Sequence, residues 1–180
     1  MIDPAVGALL AGAFALLFAS AAFHKLVGLR QFVEVFRAYA VVPAALAPLA
    51  PLVPLLELTV AVALLASRSR AGAAAAGIGL LFAYAAALGI NLARGRRDLD
   101  CGCAGAHERR PIAPWMVWRN LLLACLLGAT LLPSTGRPLG PTDALTIGAG
   151  TAVAALLYIS LDSLFGRLML RAAQWRTSAS

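Results

Sequence analysis

Charge is scarce in this sequence. Only 13% of its 180 residues are Asp, Glu, Lys or Arg against 61% hydrophobic, and mean hydropathy is +0.84. A soluble globule carries about 25% charged residues, so this chain has too little polar surface for water and belongs in a bilayer. Cysteine is scarce as well, three residues in all, and no low-complexity tract occurs, which excludes a secreted disulfide scaffold, a collagen and a disordered segment. Lysine occurs once, at Lys25, and the other 14 cations are Arg. A net charge of +7 in a soluble protein would point to nucleic acid, but here the cations sit between apolar runs. That is the pattern of membrane topology, and no nucleic-acid partner is expected.

A helix rises 1.5 Å per residue, so crossing a hydrocarbon core of about 30 Å takes roughly 20 apolar residues. Five stretches qualify, at about 4–23, 44–66, 71–93, 112–132 and 142–165. The first is uncharged from Pro4 to Phe23 and ends at His24 and Lys25. Lacking a basic leader and a cleavage site followed by a hydrophilic mature domain, it reads as a retained helix and not a signal peptide. The second contains Glu57, the third follows a turn with Arg68 and Arg70, and the fourth begins near Trp115 and Trp118, as interfacial aromatics do. Asp143 and Asp162 bracket the fifth. No repeat suggests a duplicated half. The expectation is an all-α membrane protein forming a single integral membrane domain: a bundle of about five transmembrane helices, four in a core and one peripheral. Between the first two runs, Leu29, Phe32, Val33 and Phe36 recur at helical spacing opposite Arg30, Glu34 and Arg37. This predicts a short amphipathic helix at the membrane surface, or a continuation of the first helix beyond the bilayer. Pro43, Pro48, Pro51 and Pro54 follow, and Pro54 should kink the second helix or break its start.

Five spans put the termini on opposite sides. The segment around 24–43, the loop 94–111 and the C-terminal tail then share one side, with Lys25, Arg30, Arg37, Arg94, Arg96, Arg97, Arg109, Arg110, Arg167, Arg171 and Arg176. The other side holds only Arg68, Arg70 and Arg137. Eleven cations against three favour an outside N-terminus and a cytoplasmic C-terminus, with the loop 94–111 in the cytoplasm.

The reactive groups concentrate in that loop, which contains Cys101-Gly102-Cys103 and His107. Two thiols one residue apart close a disulfide only in a small, strained ring, and strain raises the reduction potential. Gly102 supplies the backbone freedom such a ring needs. The oxidised pair would be an electron acceptor and not an inert staple. Arg96, Arg97, Arg109 and Arg110 favour thiolate over thiol, while Asp98, Asp100 and Glu108 oppose them. Two other readings stay open: two small residues falling by chance in a glycine-rich turn, and a Cu(I) or Hg(II) relay through Cys101, Cys103 and His107. Three ligands with no second cluster do not complete a structural zinc site, so no tightly bound metal is expected. Cys125, about 13 residues into the fourth helix and roughly 20 Å deep, reads as a small packing residue.

The polar residues inside the apolar runs lie in the same half of the bilayer as this loop. His24 and Lys25 end the first helix, Asn91 ends the third, and Arg119 and Asn120 lie two turns into the fourth. The second run enters from that side too, with Glu57 about 9 to 13 residues deep depending on where the proline-rich segment becomes helical. Ionisable groups in hydrocarbon face the bundle interior and pair with one another, which makes Glu57 with Arg119 or Lys25 the candidate ion pair. The cluster either glues the helices together or lines a pocket for a quinone-like electron acceptor and relays its protons. His24 reads as an interfacial cap.

The order of His24-Lys25, Tyr39 with Pro43, Pro54-x-x-Glu57, Asn91 with Gly95, Cys101-Gly102-Cys103 with Gly105, and Arg119-Asn120 resembles the MauE family of DoxX-like membrane proteins over about residues 20–132. The resemblance implies a bacterial cytoplasmic (inner) membrane location and a part in methylamine utilisation, acting with a thioredoxin-like partner in forming the disulfides of an exported dehydrogenase subunit. In architecture the chain also looks like the helical-bundle disulfide generators of the vitamin K epoxide reductase type, which reduce quinones. Ala104 departs from the pattern, where an aromatic residue is expected after the second cysteine, and the departure weakens partner docking. The resulting expectation is a membrane thiol–disulfide oxidoreductase with Cys101 and Cys103 exchanging disulfides and a quinone held near Glu57, Asn91 and Arg119, with Asn120, Lys25 and His24 close by. The rival is a non-enzymatic soft-metal transfer protein or a structural subunit. Disulfide formation on exported proteins places the thiol loop outside the cell, whereas the arginine distribution places it inside.

Overall fold

The computed structural model describes residues 1–100 and 111–178. It is helical, with six α-helices: α1 (Pro4–Val27), α2 (Leu29–Tyr39), α3 (Leu52–Leu65), α4 (Arg70–Ala93), α5 (Pro114–Gly128) and α6 (Pro141–Ser178). Two 3-10 turns, Ala44–Leu49 and Ala129–Leu131, precede α3 and extend α5. Among the described residues there are no strands, only two isolated bridges. The chain is an all-α membrane protein. Among the described residues, four segments are long and apolar enough to cross a bilayer: Pro4–Val27, Arg70–Ala93, Pro114–Leu131 and Pro141–Leu168.

The second expected span takes a different form. The run 44–66 is not one helix, because α3 has 14 residues and reaches about 21 Å at 1.5 Å per residue. The break falls at Ala50-Pro51 and not at Pro54, which lies in the first turn of α3, where a missing N–H costs no intrahelical bond. α1 runs on to Val27, carrying His24 and Lys25 in its last turn, and stops at Gly28. The amphipathic segment is therefore a separate helix, α2, which ends at Ala40 in the left-handed region (φ 47). The last helix continues well past Phe165.

α1 packs against α3 and α6, and α4 against α3 and α5. Phe14 and Phe18 of α1, Val60, Ala61 and Leu64 of α3, Ala73, Ala74 and Leu81 of α4, and Ala124 and Leu127 of α5 form the apolar core. Close approach depends on Gly77 of α4, where a Cβ would stand 2.8 Å from Leu127 and 3.0 Å from Phe18. Small residues at such crossings are how membrane helices pack without a hydrophobic driving force between them. α6 lies outside this four-helix core, with no residue of its apolar span buried.

At the end of the bundle where α1 starts, Asp3 caps α1 by accepting the Ala5 N–H at 2.8 Å. Arg137 donates to Asp3 through Nε (2.8 Å) and Nη2 (3.0 Å), and to Asp143 of α6 through Nη1 (2.8 Å) and Nη2 (2.7 Å). The loop before α6 is thereby fastened to the N-terminus of α1, leaving the other end of the bundle to carry the thiol loop.

Candidate functional site

Each apolar stripe ends in a polar residue on the same face, and this is what assembles the site. On α1 the buried positions Phe14, Phe18 and Ala22 lead to Lys25; on α3, Pro54, Glu57, Val60, Ala61 and Leu64 share one face; on α4, Ala74, Gly77, Leu81, Ala85 and Leu88 lead to Asn91. The helical repeat that buries the apolar residues carries the charges inward with them. Lys25 Nζ donates to Glu57 Oε1 in an ion pair whose side chains are 6% and 0% exposed. Tyr84 of α4 donates its O–H to the same Oε1 at 2.6 Å. Lys25 Nζ also donates to the Tyr84 hydroxyl at 3.4 Å and sits 4.9 Å from the centre of the Tyr84 ring and 5.7 Å from that of Phe32 on α2. Glu57 Oε2 is buried with no hydrogen-bond partner among the described residues.

Glu57 therefore pairs with Lys25 and not with Arg119. Arg119 of α5 instead donates to Asp162 of α6 and lies 5.2 Å from the Trp115 ring, which stacks on Phe165 at 5.8 Å. These contacts join α6 to the thiol-loop end of α5.

Asn91 forms a third group. Its amide donates to Tyr39 O and Ala87 O, both at 3.0 Å, and its Oδ1 accepts from Arg96 at 3.2 Å. Arg94 donates to Ala40 O at 3.1 Å, so the end of α4 caps the end of α2. Beyond it, Ile112 N donates to Leu99 O at 3.0 Å and Asp100 bridges Pro111. Leu99 and Ile112 pack with Leu88, Leu92, Trp115 and Met116. The two ends of the segment 101–110 are thus held side by side on the α4–α5 end of the bundle. Cys101 and Cys103, expected to exchange disulfides, and His107 lie outside the described residues.

The residues expected to line one pocket divide into three groups: Lys25 with Glu57 and Tyr84, Asn91 with Arg96, and Arg119 with Asp162. Asn120 is buried and donates to Met116 O at 2.9 Å within its own helix. His24 is exposed, its ring edge-on to Phe23 at 6.0 Å. Cys125 is exposed on the outer face of α5, so it is not the internal packing residue expected. Tyr84 was missed. It lies seven residues before Asn91 in a run of Ala, Gly and Leu, the spacing of a shared helix face, but tyrosine in a membrane helix ordinarily marks an interface.

A multi-pass helical bundle with a buried lysine–glutamate pair joined by a half-buried tyrosine, in a chain whose sequence carries a Cys-Gly-Cys motif, is the class these features define. The family profile described as methylamine utilisation protein MauE matches residues 3–133, and the chain belongs to the MauE family. Over 166 residues it is 37% identical to a methylamine utilization protein MauE of Paracoccus versutus, covering 91% of this chain and 89% of that protein. Proteins of the same name from Paracoccus denitrificans and Methylophilus methylotrophus are 38% and 34% identical, over 89% and 91% of this chain and 86% and 88% of theirs. No solved structure matches.

Proposed function

We propose that this protein is a membrane thiol–disulfide oxidoreductase of methylamine utilisation, sited in a bacterial cytoplasmic membrane. The disulfide between Cys101 and Cys103 accepts two electrons from the dithiol of a thioredoxin-like partner by way of a mixed disulfide. The reduced pair then passes them to a lipid-soluble quinone, which is a substrate and not a resident group. The partner, once oxidised, supports disulfide formation in exported proteins. One observation carries this reading: the Leu99–Ile112 hydrogen bond and the Asp100–Pro111 bridge hold the two ends of the segment 101–110 together at the same end of the bundle as the buried Lys25–Glu57 pair and the half-buried Tyr84. The donor set suits a quinone, whose two-electron reduction takes up two protons, because an ammonium, a carboxylate and a phenol all exchange protons.

The test is alkylation of cells with a mass-shifting maleimide before and after reduction, in wild type and in the Cys101→Ser and Cys103→Ser variants. The expected result is a pair that is oxidised in part and becomes fully labelled after reduction, with one single variant trapping a mixed disulfide. A pair that is always reduced, in a chain that retains stoichiometric copper or mercury, would instead support soft-metal transfer. A membrane-impermeant thiol reagent should label the loop in intact cells; labelling only after lysis would reverse the electron flow, towards delivery of reducing equivalents from a cytosolic donor.

A further inference from the structure

Glu57 has an asymmetric environment that the exchange chemistry leaves unused. Both of its donors, Lys25 Nζ and Tyr84 O–H, converge on Oε1, while Oε2 is buried and unpartnered among the described residues. A carboxylate that only pairs two helices gains by spreading its donors over both oxygens, because a bare buried carboxylate oxygen carries an uncompensated desolvation cost. Here one oxygen is held and the other is left open. A proton can add at Oε2 without displacing either hydrogen bond, since Oε1 goes on accepting as the carbonyl oxygen. Among the described residues the groups that donate to Glu57 are Lys25 from α1 and Tyr84 from α4, with the Phe32 ring of α2 centred 5.7 Å from the Lys25 ammonium. Tyr84 lies seven residues below Asn91, about 10 Å along α4, and Asn91 holds Arg96 near the base of the thiol loop.

We propose that Glu57 Oε2 is a proton-binding site loaded when the Cys101–Cys103 disulfide is reduced and emptied when the pair is reoxidised. The inference rests on the oxidoreductase reading. In the first half-reaction the partner dithiol becomes a disulfide and the Cys101–Cys103 bond breaks. One sulfur keeps a proton as thiol, the other stays a thiolate among the flanking arginines, and the second proton goes to Glu57. In the second half-reaction the thiol, the thiolate and protonated Glu57 deliver two electrons and two protons to the quinone, giving quinol, the re-formed disulfide and the Glu57 carboxylate. The negative charge that appears on sulfur is the one that disappears from Glu57, so the net charge of this half of the bundle is the same in both redox states.

The test is a reduced-minus-oxidised infrared difference spectrum of the full chain in lipid vesicles, with thiol state followed by alkylation on the same samples. The expected result is a protonated-carboxyl C=O band that appears on reduction and shifts in D2O. Glu57→Gln should abolish it, and Tyr84→Phe should keep it but move it to higher frequency through loss of a hydrogen bond to Oε1. Absence of the band in wild-type protein whose thiols have been reduced overturns the proposal alone, as does a band that survives Glu57→Gln. Thiols that never change state overturn the oxidoreductase reading, and the coupling with it.

Discussion

Arg119 and Asp162 form an ion pair between α5 and α6 that joins the peripheral helix to the thiol-loop end of the core. Elsewhere α6 leans mainly on α1, where Gly12 meets Thr151 and Gly150 meets Leu9. Removing one partner takes from the other a charge-assisted hydrogen bond in a half-buried site, whereas removing both leaves apolar surface that lipid accepts. Asp162→Leu or Arg119→Leu alone should destabilise the protein by about 2–4 kcal/mol, and the double variant should recover most of that loss. Thermal unfolding in detergent, arranged as a double-mutant cycle, checks this; additive losses would mean the pair does not hold α6.

The Lys25–Glu57 pair should behave in the same way with a larger amplitude, because both side chains are buried. Lys25→Met leaves the Glu57 carboxylate without its counter-charge and should cost about 3–5 kcal/mol. Adding Glu57→Leu to Lys25→Met should restore much of the stability but not the redox cycle. Unfolding midpoints and turnover with a quinone analogue, measured on both variants, separate the structural role of the pair from its proton chemistry.

Gly77 sits where α4 crosses α1 and α5, and Gly79 faces open space. Gly77→Val should cost about 1–3 kcal/mol by overpacking against Leu127 and Phe18, while Gly79→Ala should be neutral within about 0.5 kcal/mol. Equal effects at the two positions would show that the crossing is looser than described.

The Asp3 carboxyl is held below its ordinary value, first by hydrogen bonds from Arg137 and then by the Ala5 N–H. A lowered folded-state value means that the clamp contributes stability above the ordinary carboxylate range and loses it as pH falls through the lowered value. Because the pair is exposed, the contribution is small. Arg137→Ala should move the Asp3 midpoint upward, read from its carboxyl NMR titration, and should loosen the attachment of α6. An unchanged midpoint would show that Arg137 does not reach Asp3 in the membrane-embedded protein.

Much of the fold was legible because membrane insertion is governed by composition and length, both of which are local. The apolar runs, the amphipathic helix at Leu29–Tyr39 and the placement of His24, Lys25, Glu57, Asn91 and Arg119 towards one end of the bundle follow from counting residues along the chain. The proline run was legible as a disruption but not in its form: Pro54 could kink a helix or begin one, and which occurs depends on where the preceding turn ends. Cys125 was misplaced for a related reason. Depth along a helix follows from its number, whereas facing the core or the lipid depends on rotation about the helix axis, and an apolar helix has little periodicity to define that rotation.

Pairing is where sequence alone stops. Composition and residue order determined that this chain is a multi-pass membrane protein, that its few charges gather at one end, and that Cys101 and Cys103 lie among them in sequence. Only the tertiary structure decided that Glu57 meets Lys25 and Tyr84 while Arg119 meets Asp162. The physical reason is that a buried charge requires a partner but does not specify one. The choice belongs to the packing of α1 on α3 and of α3 on α4, set by small residues and shape, which brings one pair of side chains within reach and keeps the other apart.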